Sequence, residues 1–238
     1  MRSKIVSLLA VAFSLGFAQA ASAADMPVKA RPIAPAPVAY KWTGCYLGAQ
    51  VGYGWGKSEH SFSNGAPTDN SDPRGWVGGG HAGCNYQFPS SNIVVGVEGD
   101  YEGADLHGSF VNATGATSVG SANMKSDGSI RGRLGWAWDR SLLYVTGGWA
   151  FARYDFGGGP IPPPPCCGYS ATPSGWTAGV GWEYAFTNII SGRIEYRHAD
   201  YGTSSSGLPP TFPTVTMPVR NTTDVVRAGV SIKFWSGP

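Results

Sequence analysis

The stretch Leu47-Gly48-Ala49-Gln50-Val51-Gly52-Tyr53-Gly54-Trp55 carries an apolar side chain at every odd position and Gly or Gln at every even one. A period of two sustained over such a length marks a β-strand with one apolar and one polar face. Trp176-Thr177-Ala178-Gly179-Val180-Gly181-Trp182-Glu183-Tyr184 repeats the scheme. Near the end, Val226, Ala228, Val230, Ile232 and Phe234 alternate with Arg227, Gly229, Ser231 and Lys233. Strong helix signals are missing from Trp42 onward.

Working outward from these stretches, the pattern predicts eight strands, at about 45–56, 76–88, 93–101, 128–138, 142–154, 175–186, 189–198 and 224–234. Three connections are very short: Pro89 to Asn92, Asp139 to Ser141, and Thr187-Asn188. Four are long and polar, about 57–75, 102–127, 155–174 and 199–223. Short and long alternate strictly, so in an up-and-down sheet all tight turns fall at one end and all long loops at the other.

Two closed architectures use eight antiparallel strands. A lipocalin-like barrel turns its apolar faces inward, and an outer-membrane barrel turns them outward into lipid around a polar lumen. Trp55, Trp76, Trp138, Tyr184 and Tyr196 lie near the ends of apolar faces, as interfacial girdles require. The opposite faces hold Gly, Ser, Thr and a few Arg and Glu, too sparse for a solvated exterior. The loop asymmetry matches short periplasmic turns and long outer loops. Closure is obligatory in lipid, because an open edge leaves unpaired backbone donors in hydrocarbon. The expectation is an all-β, closed, up-and-down antiparallel transmembrane barrel.

Composition agrees. Of 238 residues, 35 are Gly and only 13% are charged, while aromatics reach 13%. No run of eighteen apolar residues occurs, which excludes a helical membrane protein. Met1 to Lys4 is a short basic region followed by an apolar stretch from Ile5 to Ala18 and two small-x-small sites, Ala18-Gln19-Ala20 and Ala21-Ser22-Ala23. This is the pattern of a secretory signal, with cleavage expected after Ala23. Removing Arg2 and Lys4 turns the formal charge of +2 into zero, so no basic footprint for nucleic acid is left. Residues 24–41 read as a Pro-rich periplasmic linker, with four prolines from Met26 to Pro37. The barrel is expected over 42–238.

The residues resemble those of the small alphaproteobacterial outer-membrane immunogenic proteins, a porin family of OmpA-like eight-stranded barrels. The resemblance rests on Ala24-Asp25-Met26-Pro27, Trp42-Thr43-Gly44 leading into Tyr46-Leu47-Gly48, Gly78-Gly79-Gly80 and Asn85-Tyr86-Gln87. It continues through Arg131-Gly132-Arg133-Leu134-Gly135-Trp136-Ala137-Trp138-Asp139, Tyr144-Val145-Thr146-Gly147-Gly148, Gly175 to Gly181, and Val226-Arg227-Ala228-Gly229. It lapses in the long loops. The resemblance implies a surface antigen in the outer membrane of a Gram-negative bacterium, with an envelope-structural or porin-like role. Members commonly end on an aromatic residue, whereas Phe234 is followed here by Trp235-Ser236-Gly237-Pro238.

Strand parity points Glu98 and Asp100 inward, with Arg131 and Arg133 on the next strand, then Glu183, Arg193, Glu195 and Arg197, and finally Arg227 and Lys233. Mixed-sign charges on adjacent inward faces should pair, since an isolated charge in a narrow interior is costly. The structural reading is a salt-bridged plug that locks register. The functional reading is a charged constriction in a narrow pore. Eight strands leave an interior just wide enough for side chains to fill, which favours the plug.

Other constellations are weaker. Gly78-Gly79-Gly80-His81-Ala82-Gly83 satisfies G-x-G-x-x-G, but it lies inside a strand with no helix after it, so glycine packing the lumen is expected and no cofactor. His60, Ser63 and Asn64 resemble the His/Ser pairs of outer-membrane lipid hydrolases, yet a loop tip gives no rigid support. His81, His107 and His198 lack metal-ligand spacing. Cys45 and Cys84 fall near the periplasmic end on the outward face and are expected to form a disulfide. Cys166 and Cys167 form a vicinal pair, bridged or reduced. Two sequons, Asn112-Ala113-Thr114 and Asn221-Thr222-Thr223, fall in expected loops. The expected partners are outer-membrane lipids and, during insertion, the barrel-assembly machinery. No nucleic acid is expected, and the chain reads as a monomer without an enzymatic site. The alternatives are a true narrow channel, a loop-mediated adhesin and, last, a lipid hydrolase.

Overall fold

The computed structural model describes residues 40–60, 69–111, 119–157, 169–207 and 216–236. The expected signal peptide and residues 24–39 of the expected linker lie outside the described residues. Ten strands follow in chain order. They are β1 (Gly44–His60), β2 (Asp69–Ser71), β3 (Arg74–Gln87), β4 (Ile93–Val111), β5 (Val119–Trp138), β6 (Ser141–Gly157), β7 (Tyr169–Ala171), β8 (Ser174–Ala185), β9 (Ile190–Gly207) and β10 (Thr216–Trp235). The eight long strands pair antiparallel with their chain neighbours, and β10 returns to β1 from Cys45↔Trp235 to His60↔Val219. The sheet is therefore a closed eight-stranded barrel.

The short strands β2 and β7 continue β3 and β8 past a break at Asp72-Pro73 and at Thr172-Pro173. Proline has no N–H to donate, so the ladder lapses there. The proline carbonyls still accept, from Gly56 N at 2.9 Å and from Ala152 N at 3.0 Å. Two residues on, each strand carries a Gly-Trp pair, Gly75-Trp76 and Gly175-Trp176. A Cβ on Gly75 would lie 1.9 Å from the carbonyl oxygen of Asp105, and one on Gly175 would lie 1.9 Å from that of Asp200. The facing backbone comes so close at both points that only glycine fits.

The strands run further than the alternation predicts. Parts of all four expected loops, 57–75, 102–127, 155–174 and 199–223, are ladder: β1 reaches His60, β4 and β5 pair out to Val111↔Val119, and β9 meets β10 at Thr216↔Gly207. At this end the outward face becomes polar, with Lys57, Glu59, Asp105, His107 and Arg153, so the apolar–polar period vanishes while the backbone pairing continues. The sequon at Asn221 accordingly lies within β10 and not in a loop, whereas Asn112-Ala113-Thr114 lies outside the described residues. The opposite end carries the tight turns 88–92, 139–140 and 186–189, where Ser90 (φ 57°) and Asp139 (φ 51°) adopt left-handed backbone.

The outward face is exposed and apolar, with Leu47, Val51, Val97, Ile130, Val180, Ile194 and Val230 among its members. Aromatic belts flank this band. Tyr53, Trp55, Trp76, Trp149, Trp176 and Tyr196 mark the loop end, and Tyr86, Trp136, Trp138, Trp182, Phe186 and Phe234 the turn end. The glycine run of β3 is not purely lumen packing as expected: Gly79 and Gly83 share the inward side with His81, while Gly78 and Gly80 lie exposed on the outward side. The two close approaches give a test. Gly75→Ala and Gly175→Ala should each destabilise the barrel by about 1–3 kcal/mol, read as a lower urea midpoint in detergent, whereas Gly78→Ala should leave it unchanged.

Candidate functional site: the charged lumen

Alternate residues of five strands deliver the lumen's charges. β4 supplies Glu98, Asp100 and Glu102, β5 supplies Asp127, Arg131 and Arg133, β8 supplies Glu183, β9 supplies Arg193, Glu195 and Arg197, and β10 supplies Arg227. All are buried. Arg131 bonds Glu98 at 2.8 Å and Glu195 at 2.6 Å through separate terminal nitrogens, and reaches Asp100 at 3.3 Å. Arg227 bonds Asp100 and Glu102, each at 2.9 Å, and Glu195 at 2.6 Å. Arg197 bonds Asp100 at 3.1 Å and also Asp127. Arg193 pairs with Glu98 and Gln50, and Arg133 with Glu183. The Arg133 guanidinium also stacks 3.6 Å above the Tyr144 ring.

The two halves of the barrel place corresponding groups on opposite walls. Tyr46 on β1 donates to Glu98 on β4 at 2.7 Å, and Tyr144 on β6 donates to Glu195 on β9 at 2.9 Å. Glycine makes room for each phenol: a Cβ on Gly83 would meet the Tyr46 hydroxyl at 2.7 Å, and one on Gly181 the Tyr144 hydroxyl at 2.4 Å. Two residues beyond each glutamate the two halves carry opposite charges, Asp100 on β4 and Arg197 on β9, and these two groups bond across the lumen. Equal charges at both positions would repel. The opposite charge turns the correspondence into a cross-link.

Of the charged residues expected inward, nine are buried in this network and Lys233 is not. Lys233 has the inward parity, but it sits at the turn-end mouth, where Nζ donates to the Lys41 carbonyl at 2.6 Å and lies 4.1 Å from the Tyr40 ring. Burial, reinforced by Glu183, pushes the Tyr40 phenol up to about 12. The sequence reading missed Glu102, Asp127 and the uncharged members Tyr46, Gln50 and Tyr144. Parity from Glu98 and Asp100 points to Glu102 directly, but the expected strand ended at 101. Oxygens of Asp100, Glu102 and Asp127 come within 4.8 Å of one another. Arg197 and Arg227 already bring positive charge to these carboxylates, so the arrangement does not call for a metal ion.

Apolar layers close the charged zone on both sides. Toward the loop end lie Val77, Leu106, Met124, Tyr154, Tyr201 and Val225. Toward the turn end lie Val94, Ala137, Leu142, Tyr144, Ala185 and Trp42, the last only 2% exposed. Gln87 holds the segment before β1 in place, accepting from Trp42 N at 3.0 Å and donating its own N–H to Thr43 at 3.0 Å.

The remaining candidates stand apart. Cys45 and Cys84 face each other in the β1–β3 register and are bonded, with an S–S distance of 2.08 Å. Cys166, Cys167, Ser63 and Asn64 lie outside the described residues. His81 meets Ser231 in the lumen at 2.8 Å, His107 bonds Asp105 and Asn123, and His198 bonds Asp224.

A family model described as outer membrane protein beta-barrel domain matches residues 8–234. The 31 kDa outer-membrane immunogenic protein of Brucella melitensis is 35% identical over 211 residues, covering 82% of this chain and 87% of that protein. The 25 kDa outer-membrane immunogenic protein of Brucella canis is 32% identical over 240 residues, covering 98% of this chain and 100% of that protein. The crystal structure of OprG from Pseudomonas aeruginosa aligns with a TM-score of 0.48 at 11% identity, over 81% of this chain and 97% of that one.

The network makes a stability prediction. Arg227→Ala leaves Asp100, Glu102 and Glu195 short of a buried partner and should cost about 3–5 kcal/mol, seen as a lower urea midpoint in micelles. Arg220→Ala, whose exposed guanidinium pairs with Asp200 at the loop end, should leave the midpoint nearly unchanged.

Proposed function

Because this chain belongs to the outer membrane protein β-barrel family, we propose that it serves as a sealed, surface-exposed wall element of the outer membrane and not as a diffusion pore. One observation carries this reading: the salt-bridged layer fills the lumen between two apolar layers. An ion crossing it would have to displace guanidiniums that are already paired with buried carboxylates. Eight strands close around an interior only wide enough for side chains, so a bypass would have to be built on purpose.

The exposed end supports an antigenic role. Strands β4, β5, β9 and β10 continue past the outer aromatic belt, which holds up the surface that the surroundings meet. The relatives are named as immunogenic outer-membrane proteins and not as enzymes. In this reading the chain carries no catalytic centre, works as a monomer surrounded by lipid, and reaches the membrane through the barrel-assembly machinery. A porin-like label then reflects shared architecture, not conduction.

Planar-bilayer recording on the purified, folded barrel tests the proposal. The expected trace is flat at both polarities. Stepwise conductance from protein that still shifts its electrophoretic mobility on boiling would replace the sealed-wall reading with the narrow channel.

A further inference from the structure

The bond between Cys45 and Cys84 ties together two strands at the edge where the barrel closes. β1 meets its chain neighbour β3 on one side and the last strand, β10, on the other. Cys45 is opposite Cys84 in the first register and opposite Trp235 in the second. Both cysteines share the outward face with Leu47 on β1 and Ala82 on β3, each two residues nearer the loop end. Tyr86 of the turn-end belt lies two residues from Cys84 in the other direction. The sulfurs are therefore on the lipid side of that belt.

The other half of the barrel shows what the same position holds without a covalent link. Tyr46 and Gly83 correspond to Tyr144 and Gly181, so Cys45 corresponds to Leu143 and Cys84 to Trp182. Leu143 and Trp182 also face each other, in the β6–β8 register, and both are exposed on the lipid-facing wall. An apolar pair serves there, between strands whose neighbours on both sides are close in the chain. β1 is different. Its second partner is β10, and until that strand is in place β3 alone holds β1. A one-residue slip between β1 and β3 would turn every side chain over, but a two-residue slip keeps the faces. Such a slip would set Cys45 opposite Ala82 or Tyr86, and the bond forbids both.

We propose that Cys45 and Cys84 are joined in the periplasm before the barrel enters the membrane, so that β1 arrives locked to β3 in the register that β10 must later meet. Position dictates this timing. A disulfide forms when a thiolate attacks an existing disulfide. Hydrocarbon solvates a thiolate poorly, and the dissolved or enzyme-borne disulfides of the periplasm stay in water. Once the wall faces lipid, thiols and oxidant are in different phases. In the aqueous step one cysteine thiolate attacks the oxidant disulfide and releases a thiolate. The other cysteine then attacks the mixed disulfide and releases the second. The two cysteines give up two electrons and two protons, and the oxidant leaves as two thiols. The inference is independent of whether the lumen conducts.

The test uses the full chain carrying C166S/C167S, which leaves Cys45 and Cys84 as its only cysteines. Reduced chain is folded into phosphatidylcholine vesicles and exposed to glutathione disulfide, with the same chain in urea as reference. Bond formation is read by alkylation and mass spectrometry, and folding by mobility before and after boiling. The embedded thiols should oxidise at least about tenfold more slowly than those in urea. Oxidised, embedded barrel should likewise keep its bond against the water-soluble phosphine TCEP at least about tenfold longer than oxidised chain in urea. Chain oxidised in urea beforehand should yield about twofold more folded barrel, or better, than reduced chain, and C45S/C84S should fold like the reduced chain. Oxidation or cleavage in the embedded barrel at the urea rate would overturn the timing. Equal folding yields from oxidised and reduced chain would overturn the register role.

Discussion

Hydrocarbon offers no partner to a backbone N–H or C=O, and the whole molecule answers to that constraint. A sheet that spans the membrane must close, and here the closing seam is the β1–β10 ladder. Closing after eight long strands fixes the bore, and the bore decides what the inward residues have to do. There is no room for a solvated charge, so every inward carboxylate and guanidinium must be answered by another side chain. The network around Arg131, Arg197 and Arg227 follows from geometry set at the seam.

The same constraint makes strand register unforgiving. A slip of one residue would carry every inward side chain to the outside. In an apolar interior that would exchange one hydrocarbon face for another at modest cost. Here it would place Glu98, Arg131 and Glu195 in lipid. The bond between Asp100 and Arg197 adds selectivity across the barrel, because it joins corresponding positions of the two halves and depends on their opposite charge. A buried ion-pair network is weak evidence for stability against a well-packed apolar core, but it discriminates strongly between one register and the next.

Alternation made the barrel legible from sequence wherever lipid lies on one side and the lumen on the other. Leu47 to Trp55 and Trp176 to Tyr184 could hardly be read otherwise. The signal fails where the outward environment changes and not where the strand ends, which is why the alternation around Lys57, His107 and Asn221 reads as loop. Glu102 and Asp127 were lost to the same boundary, since their parity was correct and only the strand limits were short. Lys233 shows the opposite error: parity gives the direction of a side chain but not its depth, and at the mouth it turns to Tyr40 and the Lys41 carbonyl. Trp42 lay outside every alternating run, and no period could place it under the barrel.

The central claim is that the lumen is a dry, cross-linked layer and not a wet passage. The most direct measurement is hydrogen exchange at the arginine Nε–H groups, resolved by NMR on the folded barrel in nanodiscs. Five arginines, at positions 131, 133, 193, 197 and 227, are buried in the lumen. The account predicts separate, slowly exchanging signals from these five near neutral pH, clearly apart from exposed Arg153 and Arg220. Exchange of the five as fast as that of the exposed pair would show water running through the layer and contradict it.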